Sequence, residues 1–92
     1  MIVSFSDKET EKIWRGQRSR KLPGDIQNRA LNKLRLIDAA KSLEDLKVPP
    51  SNRLEEFSGS RKGEWKIRIN DQWRICFRWD GDAQKVKIED YH

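Results

Sequence analysis

Two runs of alternating side chains constrain this chain more than anything else in it. Trp65, Ile67 and Ile69 alternate with Lys66 and Arg68, and Trp73, Ile75, Phe77 and Trp79 alternate with Arg74, Cys76 and Arg78. Asn70-Asp71 lies between the runs as a turn. A period of two predicts half-buried strands, apolar on one face and basic on the other. The apolar face needs a covering layer, and the turn chemistry makes the pair antiparallel. After a turn at Gly81, the segment Ala83 to Tyr91 repeats the pattern, with Val86 and Ile88 set against Lys85, Lys87 and Glu89. Leu54 to Phe57 reads as a further strand, and Gly59 to Gly63 as a turn carrying Arg61 and Lys62.

The first half supplies the cover. Ile2 to Phe5 alternates as a short opening strand. Ser6 or Asp7 offers an N-cap, and Glu9 and Glu11 suit the positive end of a helix that buries Ile13 and Trp14 and stops at Gly16. Pro23-Gly24-Asp25 starts a second helix with Ile26, Ala30, Leu34 and Ile37 on one face. Leu43 and Leu46 extend it as a short turn, and Pro49-Pro50 ends it. The expectation is an α+β fold, two N-terminal helices packed on a small, mainly antiparallel twisted sheet, as a single domain over residues 1–92.

Such a short chain has a small core. Hydrophobic residues make up 35% and charged residues 38%, close to a disordered composition, but four tryptophans and three phenylalanines restore buried area. Twenty Lys and Arg against fifteen acids give a net charge of +5, which favours a polyanionic partner such as RNA, DNA, a ribosome or an acidic protein surface. The single cysteine, Cys76, excludes an internal disulfide and a cysteine-based zinc site, and reads as a small core residue. The chain has one histidine and no carboxylate spacing for a metal, so no metal or cofactor is expected. No run of membrane-spanning length and no signal peptide is present, so a cytoplasmic protein with no membrane partner is expected.

The chain closes on Asp90, Tyr91 and its only histidine, His92. A terminal histidine is ordinarily a solvated end. Here it follows a patterned strand, which would carry a group titrating near neutral pH to the domain edge, beside a ring able to stack on a base. Arg74 and Arg78, with Cys76, point away from the helices, and Arg68 shares that face. Guanidinium groups lining an open sheet face suit a phosphodiester backbone. Arg18, Arg20 and Lys21 form a basic loop that serves equally as a phosphate contact or a solvated connector.

Arg53-Leu54-Glu55, then Gly59, Arg61 and Gly63, then Trp65 to Arg68, Asn70, Gln72 to Ile75, and the final Asp90-Tyr91-His92 resemble the HigB branch of the RelE/ParE toxin superfamily. The resemblance spans nearly the whole chain. It implies the RelE/ParE-like fold, a ribosome-dependent mRNA endonuclease acting in the ribosomal A site, and neutralisation by a HigA-type antitoxin with a helix-turn-helix domain. Asp90, Tyr91 and His92 match the terminal motif of HigB relatives, and Arg74 matches the arginine of the central strand. Some HigB toxins carry a histidine where this chain has Glu55 and a lysine near Ser58; this chain departs from both. Glu55 instead resembles the YoeB-like toxins, whose glutamate precedes the same glycine, Gly63 here, and acts as general base.

RNA cleavage without a metal proceeds by attack of the 2′-hydroxyl on phosphorus. It needs a base, a cation for the phosphorane and an acid for the leaving oxygen. Glu55, Arg74 and His92 match these roles, with Asp90 and His92 as alternatives for the base and Tyr91 to stack or orient. Arg53, Arg61, Lys62, Arg68 and Arg78, with Arg18, Arg20 and Lys21, are the candidate contacts to RNA or ribosome. The rival readings are a ParE-like non-catalytic inhibitor of DNA gyrase on the same fold, and a non-enzymatic partner of a DNA-binding antitoxin.

Overall fold

A computed structural model describes residues 1–91 of the chain. Asp7 caps helix α1 (Lys8–Trp14), its carboxylate accepting the Thr10 N–H at 2.8 Å. Helix α2 spans Gly24–Ala39 and buries Ile26, Ala30, Leu34 and Ile37. These are the stripe that helical periodicity predicts. The α1–α2 loop is ordered by a polar knot. Gln27 accepts the Ser19 N–H at 3.1 Å and donates to the carbonyls of Ser19 and Leu22 at 2.8 and 2.9 Å. Both side chains are buried, so the loop's backbone groups find partners there in place of water.

Short 3-10 turns at Leu43–Lys47 and Pro50–Asn52 lead into the sheet. Buried Asn52 ties them together by donating to the carbonyls of Leu46 and Val48. The sheet contains β1 (Glu55–Glu56), β2 (Glu64–Arg68), β3 (Trp73–Trp79) and β4 (Ala83–Asp90), in that order and all antiparallel. The strand expected over Leu54 to Phe57 narrows to two residues, and β4 stops one residue before Tyr91.

The opening segment is an edge addition in place of a full strand. It pairs parallel to β4 through isolated bridges, Ile2 with Ala83 and Phe5 with Val86. A parallel return needs a long crossover, and the rest of the chain provides it. The β3–β4 register shifts between Cys76 and Arg78, and Lys85 sits nearby at φ +52°. Ser4 and Ser6 bracket this bulge: the Lys85 N–H donates to Ser4 Oγ at 2.8 Å, and Ser6 Oγ donates to the Lys85 carbonyl at 2.9 Å.

The core lies between the helices and one face of the sheet, and unites Leu34 and Ile37 with Ile67, Ile75, Phe77, Val86 and Ile88. Buried Thr10 joins the layers by accepting the Ile88 N–H at 2.9 Å. The tryptophans do less than composition predicts. Trp14, Trp65, Trp73 and Trp79 are all only partly buried around a centre of aliphatic residues and Phe77. Indole is too large to bury fully in so thin a core. Among the described residues no helix is long and apolar enough to cross a membrane.

Candidate active site on the open face of the sheet

Directly opposed residues of an antiparallel pair project to the same side. Register therefore lays Glu55, Lys66, Cys76 and Lys87 in one row across the sheet, and Arg68, Arg74 and Glu89 in the next. This is the side away from the helices. Its centre is Lys66, only 6% exposed despite its charge. The ammonium stands 4.2 Å from the Phe57 ring centroid and 4.9 Å from that of Tyr91. The Arg74 guanidinium lies 5.1 Å from the same Tyr91 ring. Two cations thus flank one aromatic face, a favourable electrostatic arrangement that leaves Tyr91 exposed.

Backbone contacts fix this group. The Tyr91 N–H donates to the Gln72 carbonyl at 2.6 Å, tying the end of the chain to the start of β3. Arg74 donates to the carbonyls of Asn70 and Trp73, so the turn before β3 aims the guanidinium. It is half-buried, where alternation alone predicts an exposed arginine.

A second cluster adjoins the first. Arg61 stacks on the other neighbour of Lys66, with its guanidinium 3.9 Å from the Phe57 centroid. It pairs with Glu64 at 3.1 Å and Glu89 at 2.7 Å. Hydrogen bonds donated to Glu89 and Glu64 push the arginine further toward its charged form. Burial raises the Glu89 carboxyl, but Arg61 and the Cys76 thiol outweigh it and hold the group below the ordinary carboxylate range. Burial pushes Cys76 up to about 12, so its thiol is inert, as a small interior residue should be. Arg61, expected among the RNA contacts, has its charge satisfied by two carboxylates and braces the turn at Gly59–Arg61.

The remaining candidates scatter. Glu55 is exposed opposite Lys66 on β1. Arg68 pairs with Asp71; that hydrogen bond, with added attraction from Arg53 and Arg74, holds Asp71 below the ordinary carboxylate range. Arg53 is exposed in a left-handed conformation at φ +48°, and Lys62 and Arg78 are exposed. Asp90 does not join the open face. It lies opposite Trp73, on the helical side of β4, and its carboxylate accepts from the Gln72 amide at 3.2 Å. The alternation that turns Glu89 outward turns Asp90 the other way. Arg18, Arg20 and Lys21 are exposed in the α1–α2 loop, in the helical layer. His92, the expected acid, lies outside the described residues.

Sequence reasoning missed Lys66, Phe57 and Glu89 as parts of the site. Alternation already put Lys66 beside Arg68 on the basic side. The rings that shelter it come from a loop and from the end of the chain, whose directions no periodicity encodes.

A family model described as the RelE-like toxin of the type II toxin–antitoxin system HigB matches residues 3–92. Toxin HigB-1 of Vibrio cholerae is 38% identical over 97% of this chain and 96% of its own. Endoribonuclease HigB of Proteus vulgaris is 31% identical over the full length of both. A solved structure, a YoeB/ParE toxin from Agrobacterium tumefaciens, aligns over 99% of this chain and 96% of its own with a TM-score of 0.49 and 16% identity. The match at nearly full length identifies the chain: it belongs to the HigB-like family, the RelE-like toxins of type II toxin–antitoxin systems.

Proposed function

We propose that this toxin, an endoribonuclease by family, cuts mRNA held in the ribosomal A site, as a single domain working without a metal or cofactor. The observation that carries the reading is the pair of cations, Lys66 and Arg74, both close to an exposed Tyr91 ring on an open sheet face. A base unstacked from its neighbours lies on the tyrosine, and the phosphate next to it meets both cations. The 2′-oxygen attacks phosphorus, forming a 2′,3′-cyclic phosphate as the bond to the 5′-oxygen breaks. Arg74 and Lys66 stabilise the charge that gathers on the non-bridging oxygens. Burial strengthens the Lys66 contribution, because little water screens it.

Glu55 takes the 2′-hydroxyl proton, and His92 delivers one to the departing 5′-oxygen. Asp90 acts through Gln72 at the start of β3, as a residue that positions the terminus. The exposed Arg53, Lys62 and Arg78 and the half-buried Arg68 contact RNA, and the loop bearing Arg18, Arg20 and Lys21 faces the ribosome. Within its system the toxin has a cognate antitoxin, here of the HigA type with a helix-turn-helix domain. The toxin works in the cytoplasm, where its ribosomal target is.

Primer extension on a translated mRNA tests the reading. Cuts within codons that appear only with ribosomes are the expected result. No cutting, combined with inhibited gyrase supercoiling, would favour the ParE-like alternative.

A further inference from the structure

Away from the Tyr91 cluster, a second set of cations converges on an open cavity. Arg29, Asn32 and Lys33 share one face of α2, and with Ser51, Arg68 and Ile69 they line about 430 Å³. Three of these side chains are cations and none is an acid. Burial first, then the nearby charges of Arg29 and Arg68, hold the Lys33 ammonium below the ordinary lysine value. An anion in the cavity would reverse that pressure.

The cations are only partly satisfied from within. Lys33 donates to Asn52, Arg29 donates to the Ile69 carbonyl at 3.2 Å, and a terminal nitrogen of Arg68 pairs with Asp71. The Arg68 Nε–H is buried without a hydrogen-bond partner among the described residues. Folded proteins pair nearly all such donors, so Arg68 retains hydrogen-bonding capacity that an acceptor beside it would use. Arg68 also joins the cavity to the open face, since it stands opposite Arg74 in the sheet register. The basic surface runs on from the Tyr91 cluster through Arg74 and Arg68 to Lys33 and Arg29.

We propose that the cavity holds a backbone phosphate of the same RNA strand whose scissile bond lies on the open face. The inference rests on the nuclease reading and adds a second anchoring point to it. Continuity through Arg68 favours the RNA strand over an acidic protein segment, which would have no reason to follow the catalytic face. A phosphodiester in the cavity can meet Arg29, Lys33 and the Arg68 guanidinium, whose Nε–H gains an acceptor once the side chain turns toward it.

The test compares the parent with the double variant Arg29→Gln, Lys33→Met in binding a short single-stranded RNA made uncleavable by 2′-O-methyl groups. Losing one phosphate contact should reduce the slope of log affinity against log salt by about 0.7. In the parent, the Arg68 Nε–H resonance should move on adding the RNA, a readout that survives if the double variant does not fold. An unchanged slope with a stationary Arg68 resonance overturns the proposal. So does a slope change seen only with vacant ribosomes, which assigns the phosphate to ribosomal RNA, or a loss confined to antitoxin binding. Primer extension with the parent separately tests the nuclease reading, so a failure of either is told from a failure of the other.

Discussion

Both faces of the sheet bury side chains near its centre, but by opposite means. On the helical face, Ile67, Ile75 and Phe77 are almost fully covered by apolar neighbours. On the open face, Cys76 is as buried as these, and Lys66 nearly so, beneath Phe57, Tyr91, Arg61 and Glu89. Apolar burial is non-directional and stabilises by roughly 1.5–3 kcal/mol for a large side chain. Burying an ammonium is unfavourable unless rings and hydrogen-bonding partners compensate for lost water. One face therefore holds the molecule together, and the other keeps a charge in a defined place. Depth of burial alone does not tell a structural residue from a functional one; the company it keeps does.

That contrast can be broken by substitution. The largest effect is expected for Glu55→Gln on the open face, which should slow single-turnover cleavage of ribosome-bound mRNA by about 10²- to 10⁴-fold, the range for a lost general base. A rate within a few-fold of the parent would move the base to His92. Next comes the helical face. Phe77→Ala should cost about 3–5 kcal/mol in urea unfolding, a large share of a small domain's stability. If its midpoint hardly moves, the core lies elsewhere.

Arg74→Ala should reduce cleavage by about 10²- to 10³-fold, as expected for one lost donor to a developing oxyanion. Its bonds to the turn carbonyls make the fold pay about 1 kcal/mol, a melting shift of about 4–8 °C. A collapsed melting curve would mark Arg74 as structural and blur the division between faces. The smallest effect is expected for Glu89→Gln, about 1 kcal/mol at neutral pH. Because the folded state holds this carboxyl below its unfolded value, near 4.3, its contribution is present above that pH and fades as pH falls through the folded value. The variant should therefore lose stability less steeply on acidification; parallel acid curves would show that Glu89 is not the group responsible.

Regular elements were largely legible in the sequence, because repeating side-chain direction leaves a repeating pattern. The α2 stripe, the β2–β3 pair and the turn at Asn70-Asp71 all follow from periodicity and turn chemistry. The basic character of the open face followed too, since facing is a matter of counting by twos. What did not follow depends on the third dimension of irregular segments. Phe57 comes from beyond the two-residue β1, and Tyr91 from beyond the end of β4, yet both rings meet over Lys66. Asp90 was grouped with its neighbours by motif, while pleat geometry sends it to the other face. The tryptophans were counted as core by composition, but only packing shows that they form its rim.

The bracing of the Lys85 bulge by Ser4 and Ser6 links positions about eighty residues apart in sequence. A chain emerging from the ribosome has no counterpart for its first residues until Ala83 to Val86 have been made. Contacts this distant in sequence form slowly, after the loop between them has closed. The opening segment must therefore wait for β4, and Tyr91 comes later still. For a molecule whose proposed target is the translation machinery, such a fold postpones activity: the ribosome that makes the toxin has already made β4 before the weapon is assembled.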